Sequence, residues 1–235
     1  SDEGVTKMLD AYIRLQPVDW VRFTLGQQKI PFSTDNLRSP HQLYFANRSF
    51  IGKQLSSGLR DVGATVMLSG KKGIPFDFQF GAYNGNGLYN QQEWKKEMDY
   101  AFRLEIFPVK NMEISLNYNS IKPENLRMNL YDAGVFLNLS DLHLDIEYIY
   151  KTYTKNTFQA TQALSVFGAY DIKTSRRFLS KITPLIRYDV MTDNNKGFLA
   201  DNTYKVDDIA RSRLTSGLTF SLGKPFLNDI RLNYE

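Results

Sequence analysis

The sequence predicts an all-β fold, a transmembrane antiparallel up-and-down β-barrel, and three observations predict it. Apolar residues recur at every second position in about twelve runs along the 235 residues. Most of these runs approach the roughly 9–11 residues that carry a tilted strand across a bilayer, whereas globular strands usually run about 5–6. Aromatic residues gather near the ends of the runs, and the connections alternate between long and short. A helical apolar repeat is not sustained over any long window. No stretch approaches ~18 consecutive apolar residues, so no transmembrane helix is expected.

The runs follow in order. Ala11, Ile13 and Leu15 alternate with Tyr12, Arg14 and Gln16. Val21, Phe23 and Leu25 oppose Arg22, Thr24 and Gly26, and Val62 to Leu68 oppose Gly63, Thr65 and Ser69. Phe76, Phe78, Phe80 and Ala82 oppose Asp77, Gln79 and Gly81. Tyr100 to Ile106 oppose Ala101, Arg103 and Glu105, and Met112 to Tyr118 oppose Glu113, Ser115 and Asn117. Tyr131 to Leu137 oppose Asp132, Gly134 and Asn138. Leu142 to Tyr150 oppose His143, Asp145, Glu147 and Lys151. Phe158 to Tyr170 is a weaker strand with Phe167 and Ala169 on one side. Ile182 to Val190 oppose Thr183, Arg187 and Asp189, and Leu214 to Leu222 oppose Arg213, Thr215 and Thr219. Ile230, Leu232 and Tyr234 oppose Asp229, Arg231 and Asn233.

Composition bounds the chemistry. The chain is 42% apolar and 14% aromatic, too rich for disorder and enough for one ordered domain over residues 1–235. There is no cysteine, which excludes disulfides, zinc–cysteine sites and thiol catalysis. Only His41 and His143 could serve histidine chemistry. The 29 basic residues against 25 acidic ones give a net charge of +4, scattered along the chain, so nucleic-acid binding is not expected. A mean hydropathy of −0.39 is compatible with a barrel, whose apolar residues occupy alternate positions. The opening SDEGVTKMLD lacks the basic start and apolar run of a secretion signal, as expected of a processed or trimmed form.

Alternation alone does not say which face meets water. A soluble sandwich turns apolar faces inward, and a membrane barrel turns them outward to lipid. Strand length, the connections and the aromatics Trp20, Phe76, Tyr83, Tyr100, Phe107, Tyr118, Tyr131, Tyr148, Tyr150 and Tyr188 favour the membrane over a soluble all-β domain. Short connections at Pro17–Asp19, Gly70–Pro75, Pro108–Asn111, Ser140–Asp141 and Gly223–Asn228 form one series, with a longer turn at Lys173–Lys181. Long ones at 29–60, 84–98, 121–127, 152–157 and 192–209 form the other. With short turns periplasmic, the first strand runs inward and the last outward. Bacterial barrels have an even strand number and ordinarily keep both termini in the periplasm, which implies a strand before Ser1 and another after Glu235 in a parent barrel of about 14–16 strands, in preference to twelve strands closing on themselves with both ends outside.

Several segments resemble a known family. Gly26 to Ser33 is similar to the GQxKxPFS signature of the phosphate-selective porin O and P family, and Phe45 to Ser49 to its ERS element. Gly58 to Gly63 resembles GRDxG, Gly81 to Gly87 resembles GxxNGxG, and Pro184 to Asp189 resembles PxxRYD. The matches are in order between Asp10 and Tyr234, and the family's closing strand ending in Phe is absent. The resemblance implies a trimeric bacterial outer-membrane channel for anions or small solutes, in which residues 29–60 form the constriction loop. Carried over residue by residue, it marks Arg48, Arg60, Asp61 and Arg187.

The polar faces supply the candidate pore-lining residues: Arg14, Arg22, Arg103, Glu105, Glu113, Glu147, Lys151, Arg187, Asp189, Arg213 and Arg231. In the long loop, Lys29, Arg38, Arg48, Lys53, Arg60 and Asp61 are the candidates. Cations on a narrow wall favour anions, yet the same faces carry carboxylates. Arg103 with Glu105 and Arg187 with Asp189 therefore read more readily as wall ion pairs than as anion-selecting groups, and a general or weakly anion-preferring channel is expected. Arg60–Asp61 reads either as a pin for the loop or as ordinary strand entry. Asn84 to Gly87 reads as turn chemistry, not a phosphate cradle. The competing functions are a plugged barrel that serves other outer-membrane proteins as a partner, and a barrel enzyme using His143. No cofactor, metal or catalytic residue is expected, and the partners are the lipid bilayer, small anions or solutes, and two further copies of the chain.

Overall fold

The computed structural model describes residues 8–55, 59–87, 93–123, 126–176, 178–197, 199, 203–224 and 228–235. Its strands are β1 (Ala11–Val18), β2 (Val21–Lys29), β3 (Arg60–Gly70), β4 (Phe76–Tyr83), β5 (Asp99–Ile106), β6 (Met112–Ile121) and β7 (Met128–Leu139). They continue with β8 (Leu142–Tyr153), β9 (Thr161–Tyr170), β10 (Ile172–Lys173), β11 (Leu179–Met191), β12 (Arg211–Leu222) and β13 (Asp229–Tyr234). All thirteen belong to one antiparallel sheet in chain order, except that β10 pairs only with β11 and β9 pairs past it with β11. The short β10 occupies part of the expected Lys173–Lys181 turn. Among the described residues β1 and β13 do not pair, so the sheet is open between them.

The sheet is inside out relative to a soluble sandwich. Ile146 on β8 is 48% exposed while its neighbour Glu147 is 3% exposed. The same alternation gives exposed Leu116, Ile186, Leu214 and Leu232 against buried Ser115, Asn117, Arg187 and Thr215. Phe78 lies opposite Leu104 on the outer face, and both are half-buried. The convex side is therefore apolar and uncovered, the arrangement in which strands meet lipid.

Aromatic rings form a continuous row on that side. Phe80, Phe102, Tyr118, Tyr131 and Tyr150 sit on directly paired positions of β4 to β8. Their centroids are separated in turn by 4.7, 5.9, 5.2 and 6.4 Å. The row lies near the long-connection ends of these strands, where a girdle meets the interface. Tyr83, expected among these aromatics, instead points inward, fully buried with its hydroxyl on Thr65.

The β2–β3 connection folds onto the concave side. It holds α1 (Thr34–Leu37), a 3-10 turn at Pro40–Gln42, and α2 (Phe50–Leu55). Local caps explain these pieces. The Ser33 side chain accepts from the Asn36 amide, Ser39 and Gln42 cap the Pro-initiated turn reciprocally, and Ser49 Oγ accepts from the Gly52 amide at 3.0 Å. Two apolar clusters seat the loop. Phe32, Phe50, Ile51 and Leu55 pack against Tyr83, Leu130, Ile149 and Met191. Tyr44 and Phe45 pack against Phe167, Ala169 and Leu185. The concave face is thus not uniformly polar: where the loop lies on the wall, the wall turns apolar residues inward, because both surfaces leave water there.

Candidate functional site

The loop is clamped to the wall at two places by pairs of opposite charge. At the α1 end, Glu147 accepts a hydrogen bond from the Thr34 amide at 2.8 Å. Arg103 donates to the Thr34 hydroxyl at 2.9 Å, to Glu105 at 2.8 Å and to Asn117 at 2.8 Å, and lies 3.4 Å from Glu113. At the α2 end, Arg187 donates to the carbonyls of Asn47 and Arg48 at 3.1 and 3.2 Å and stacks over the Phe45 ring at 4.4 Å. Asp189 accepts from the Phe50 amide at 2.9 Å and pairs with Arg187 at 3.2 Å and Arg213 at 3.4 Å. The anticipated Arg103–Glu105 and Arg187–Asp189 pairs are both present. Their additional partners in the loop, the Thr34 hydroxyl for Arg103 and the Asn47 and Arg48 carbonyls for Arg187, had no signal in the sequence because they lie far away along the chain.

Between these clamps, Arg38 pairs with Asp145 and its guanidinium lies over the Phe136 ring at 5.2 Å. Burial works to lower the Arg38 pKa, but the Asp145 carboxylate outweighs it and holds the guanidinium above its ordinary value. Arg48, a matched family position, turns into the loop and donates to the carbonyls of Asp35 and Arg38. Asp35 in turn accepts from the amide and hydroxyl of Ser49, both at 2.9 Å. Lys53 is exposed on α2 without an ion pair among the described residues.

Several expected residues sit in unexpected company. Arg60 does not pair with Asp61, because successive strand residues point to opposite faces. Arg60 holds Asp10 through two contacts of 3.0 and 3.4 Å, and buried Asp61 accepts from the amides of Val62 and Gly85. Glu147 and Lys151, expected on an open wall, are on the concave side but covered. Glu147 lies under α1, and Lys151 donates to Asn194 at 2.9 Å and to the Asn195 carbonyl at 2.6 Å. Arg213 and Glu235 pair at 2.8 Å, and Arg231 reaches the carbonyls of Pro40 and His41 and the carboxylate of Asp229.

The wall of β1 to β4 is different. There a cavity of about 240 Å3 separates the loop from the sheet, lined by Tyr12, Arg14, Arg22, Gln28, Lys29 and Gln79 among others. Arg14 packs on the Tyr12 ring, Arg22 contacts the Met67 sulfur, and Lys29 donates to the carbonyls of Asn36 and Leu37. None of the three forms a close ion pair among the described residues, but the Asp10 carboxylate lines the same cavity and acts on Lys29.

An apolar outer face, an aromatic row, a polar inner face and an inward loop are together the features of a porin-type β-sheet. The family model for phosphate-selective porin O and P matches residues 1–130, more than half of the 235-residue chain. The chain belongs to that family. No curated protein matches the sequence.

Proposed function

We propose that the sheet is the greater part of a closed outer-membrane barrel, assembled as a trimer, that lets small hydrophilic solutes diffuse passively with a weak preference for anions such as phosphate. In this reading residues 29–60 narrow a water-filled bore. The carrying observation is that the loop is docked on the β5–β12 side, where arginines are matched by carboxylates, and stands off β1–β4 at the cavity lined by Arg14, Arg22 and Lys29, while Tyr83 at the end of β4 meets α2. Solute then passes along Arg14, Arg22 and Lys29, where the lining carboxylate Asp10 is paired with Arg60 and the cations leave a net positive field.

Planar-bilayer recording tests this. The protein should conduct ohmically with a reversal potential on the anion side, and Arg14→Gln/Arg22→Gln should reduce the anion-to-cation permeability ratio about twofold or more. Absence of current, or clear cation preference, contradicts the reading. The apolar clusters that fill part of the concave face favour a second reading, a plugged barrel serving as a partner of other outer-membrane proteins. A stably co-purifying subunit with no current would support it. Cross-linking in native membranes tests the trimer.

A further inference from the structure

His143 is far from Arg14 and Arg22 in the sheet, and the channel reading gives it no role. Its surroundings are specific nonetheless. On β8 it faces the tip of the loop from the short-turn end of the sheet. Its Nε2 lies 3.2 Å from the Asp171 carboxylate, which follows β9. Its Nδ1 lies 2.8 Å from the Asn138 amide oxygen on β7 and 3.1 Å from the Tyr44 hydroxyl of the loop. Tyr44 also donates to the Asn138 oxygen at 2.9 Å and stacks on the imidazole at a centroid distance of 5.0 Å.

The neighbouring charges come from several elements: Lys173 pairs with Asp141 at 2.6 Å, and Arg231 and Asp229 line the cavity that Tyr44 shares with Asp171 and Lys181. Asp171 is also held by Lys181 at 2.8 Å and Thr183 at 2.6 Å, both on β11. Asp145, on the same face of β8, is matched by Arg38, whose guanidinium is 5.9 Å from the Tyr44 ring. Two members of the group keep one protonation state near neutral pH. Burial pushes the Tyr44 phenol up to about 12, so it remains a donor. Burial works to raise Asp171, but the hydrogen bonds from Lys181, Thr183 and His143 overcome it and hold the carboxyl below its ordinary value. His41, the other imidazole of the loop tip, lines the adjoining cavity with Tyr44, Asp171 and Lys181, whereas His143 is the one whose ring nitrogens contact Tyr44 and Asn138.

We infer that His143 is a pH-sensitive latch: it fastens the loop tip to the barrel wall through Tyr44 and Asn138 when protonated, and holds it less firmly when neutral. The geometry sets the direction. Both ring nitrogens face oxygen acceptors, which suits an imidazolium donating from both sides. A neutral ring with its N–H on Nε2 turns a lone pair toward the Asn138 oxygen, and satisfying that lone pair draws the single Tyr44 proton away from Asn138. Acid therefore tightens the loop, and alkali frees it.

Hydrogen exchange of the refolded, detergent-bound full chain tests the latch without requiring conduction. After correction for intrinsic exchange, amides in residues 39–47 should exchange about threefold to fivefold faster at pH 8 than at pH 5.5, the population change of a modest ion-pair contribution. His143→Gln and Tyr44→Phe should each remove that pH difference while the strand amides stay protected. The latch is overturned if wild type shows no difference, or if the difference survives in both variants. Failure of the channel reading would show separately, as absent current with the exchange pattern intact.

Discussion

The carboxylate of Glu147 on β8 accepts a 2.8 Å hydrogen bond from the amide of Thr34, 113 residues earlier in the chain. That contact joins the first turn of the loop to the middle of the wall, and Glu147 is almost wholly covered there. Glu147→Ala should destabilise loop docking by about 1.5–3 kcal/mol, the worth of a hydrogen bond to a charged group. Limited proteolysis within residues 38–48 should accelerate while the strands remain resistant. Unchanged cleavage would place the docking energy elsewhere.

Arg103 carries the opposite charge at the same clamp. Arg103→Met leaves Glu105 and Glu113 without their guanidinium and should cost about 3–5 kcal/mol in urea unfolding from micelles. Adding Glu105→Gln should recover part of the loss, because it removes a carboxylate left unmatched. An additive double variant would show that the pair is not coupled.

Gly26 sits at φ +120, and a Cβ there would lie 2.4 Å from the Ala11 carbonyl. Gly26→Ala should cost about 1–3 kcal/mol through backbone strain and loosen the β1–β2 pairing. Faster exchange of amides in β1 alone would report it.

Asp171 has a pKa below its ordinary value, so its hydrogen bonds stabilise the fold above about pH 4 and lose that contribution as pH falls through the lowered pKa. Acid unfolding of wild type and Asp171→Asn should converge at the lowest pH, with wild type more stable above it. Parallel curves would exclude this linkage.

What was legible in the sequence follows from range and period. The strands were readable because exposed Ile146 and covered Glu147 alternate for the length of β8, a signal repeated in almost every run. Arg103–Glu105 and Arg187–Asp189 were readable because residues two apart share a strand face. The helices at Thr34–Leu37 and Phe50–Leu55 were not, since four and six residues are too short to show a helical repeat. Phe167 and Leu185 broke the apolar-out rule because they meet Phe45, a contact that only the folded loop creates. Tyr83 was misplaced for the same reason: its role is inside, against α2 and Thr65, while its position at a strand end resembles that of a girdle residue.

The outward face makes a stability prediction. Ile146→Arg places a charge near the middle of β8 on the lipid side and should cost about 2–4 kcal/mol in vesicle unfolding. A cost near zero would put Ile146 in water.

The central claim is the inverted sheet, and the cysteine-free chain allows a direct measurement. Single cysteines at Leu144, Ile146 and Tyr148, spin-labelled in bilayers, should relax strongly with oxygen dissolved in lipid and weakly with a water-soluble nickel chelate. Labels at Asp145 and Ile149 should lose the oxygen effect, giving a period of two along β8. If Leu144, Ile146 and Tyr148 are instead shielded from both reagents, or open to the nickel chelate, the apolar face does not meet lipid and the porin account is contradicted.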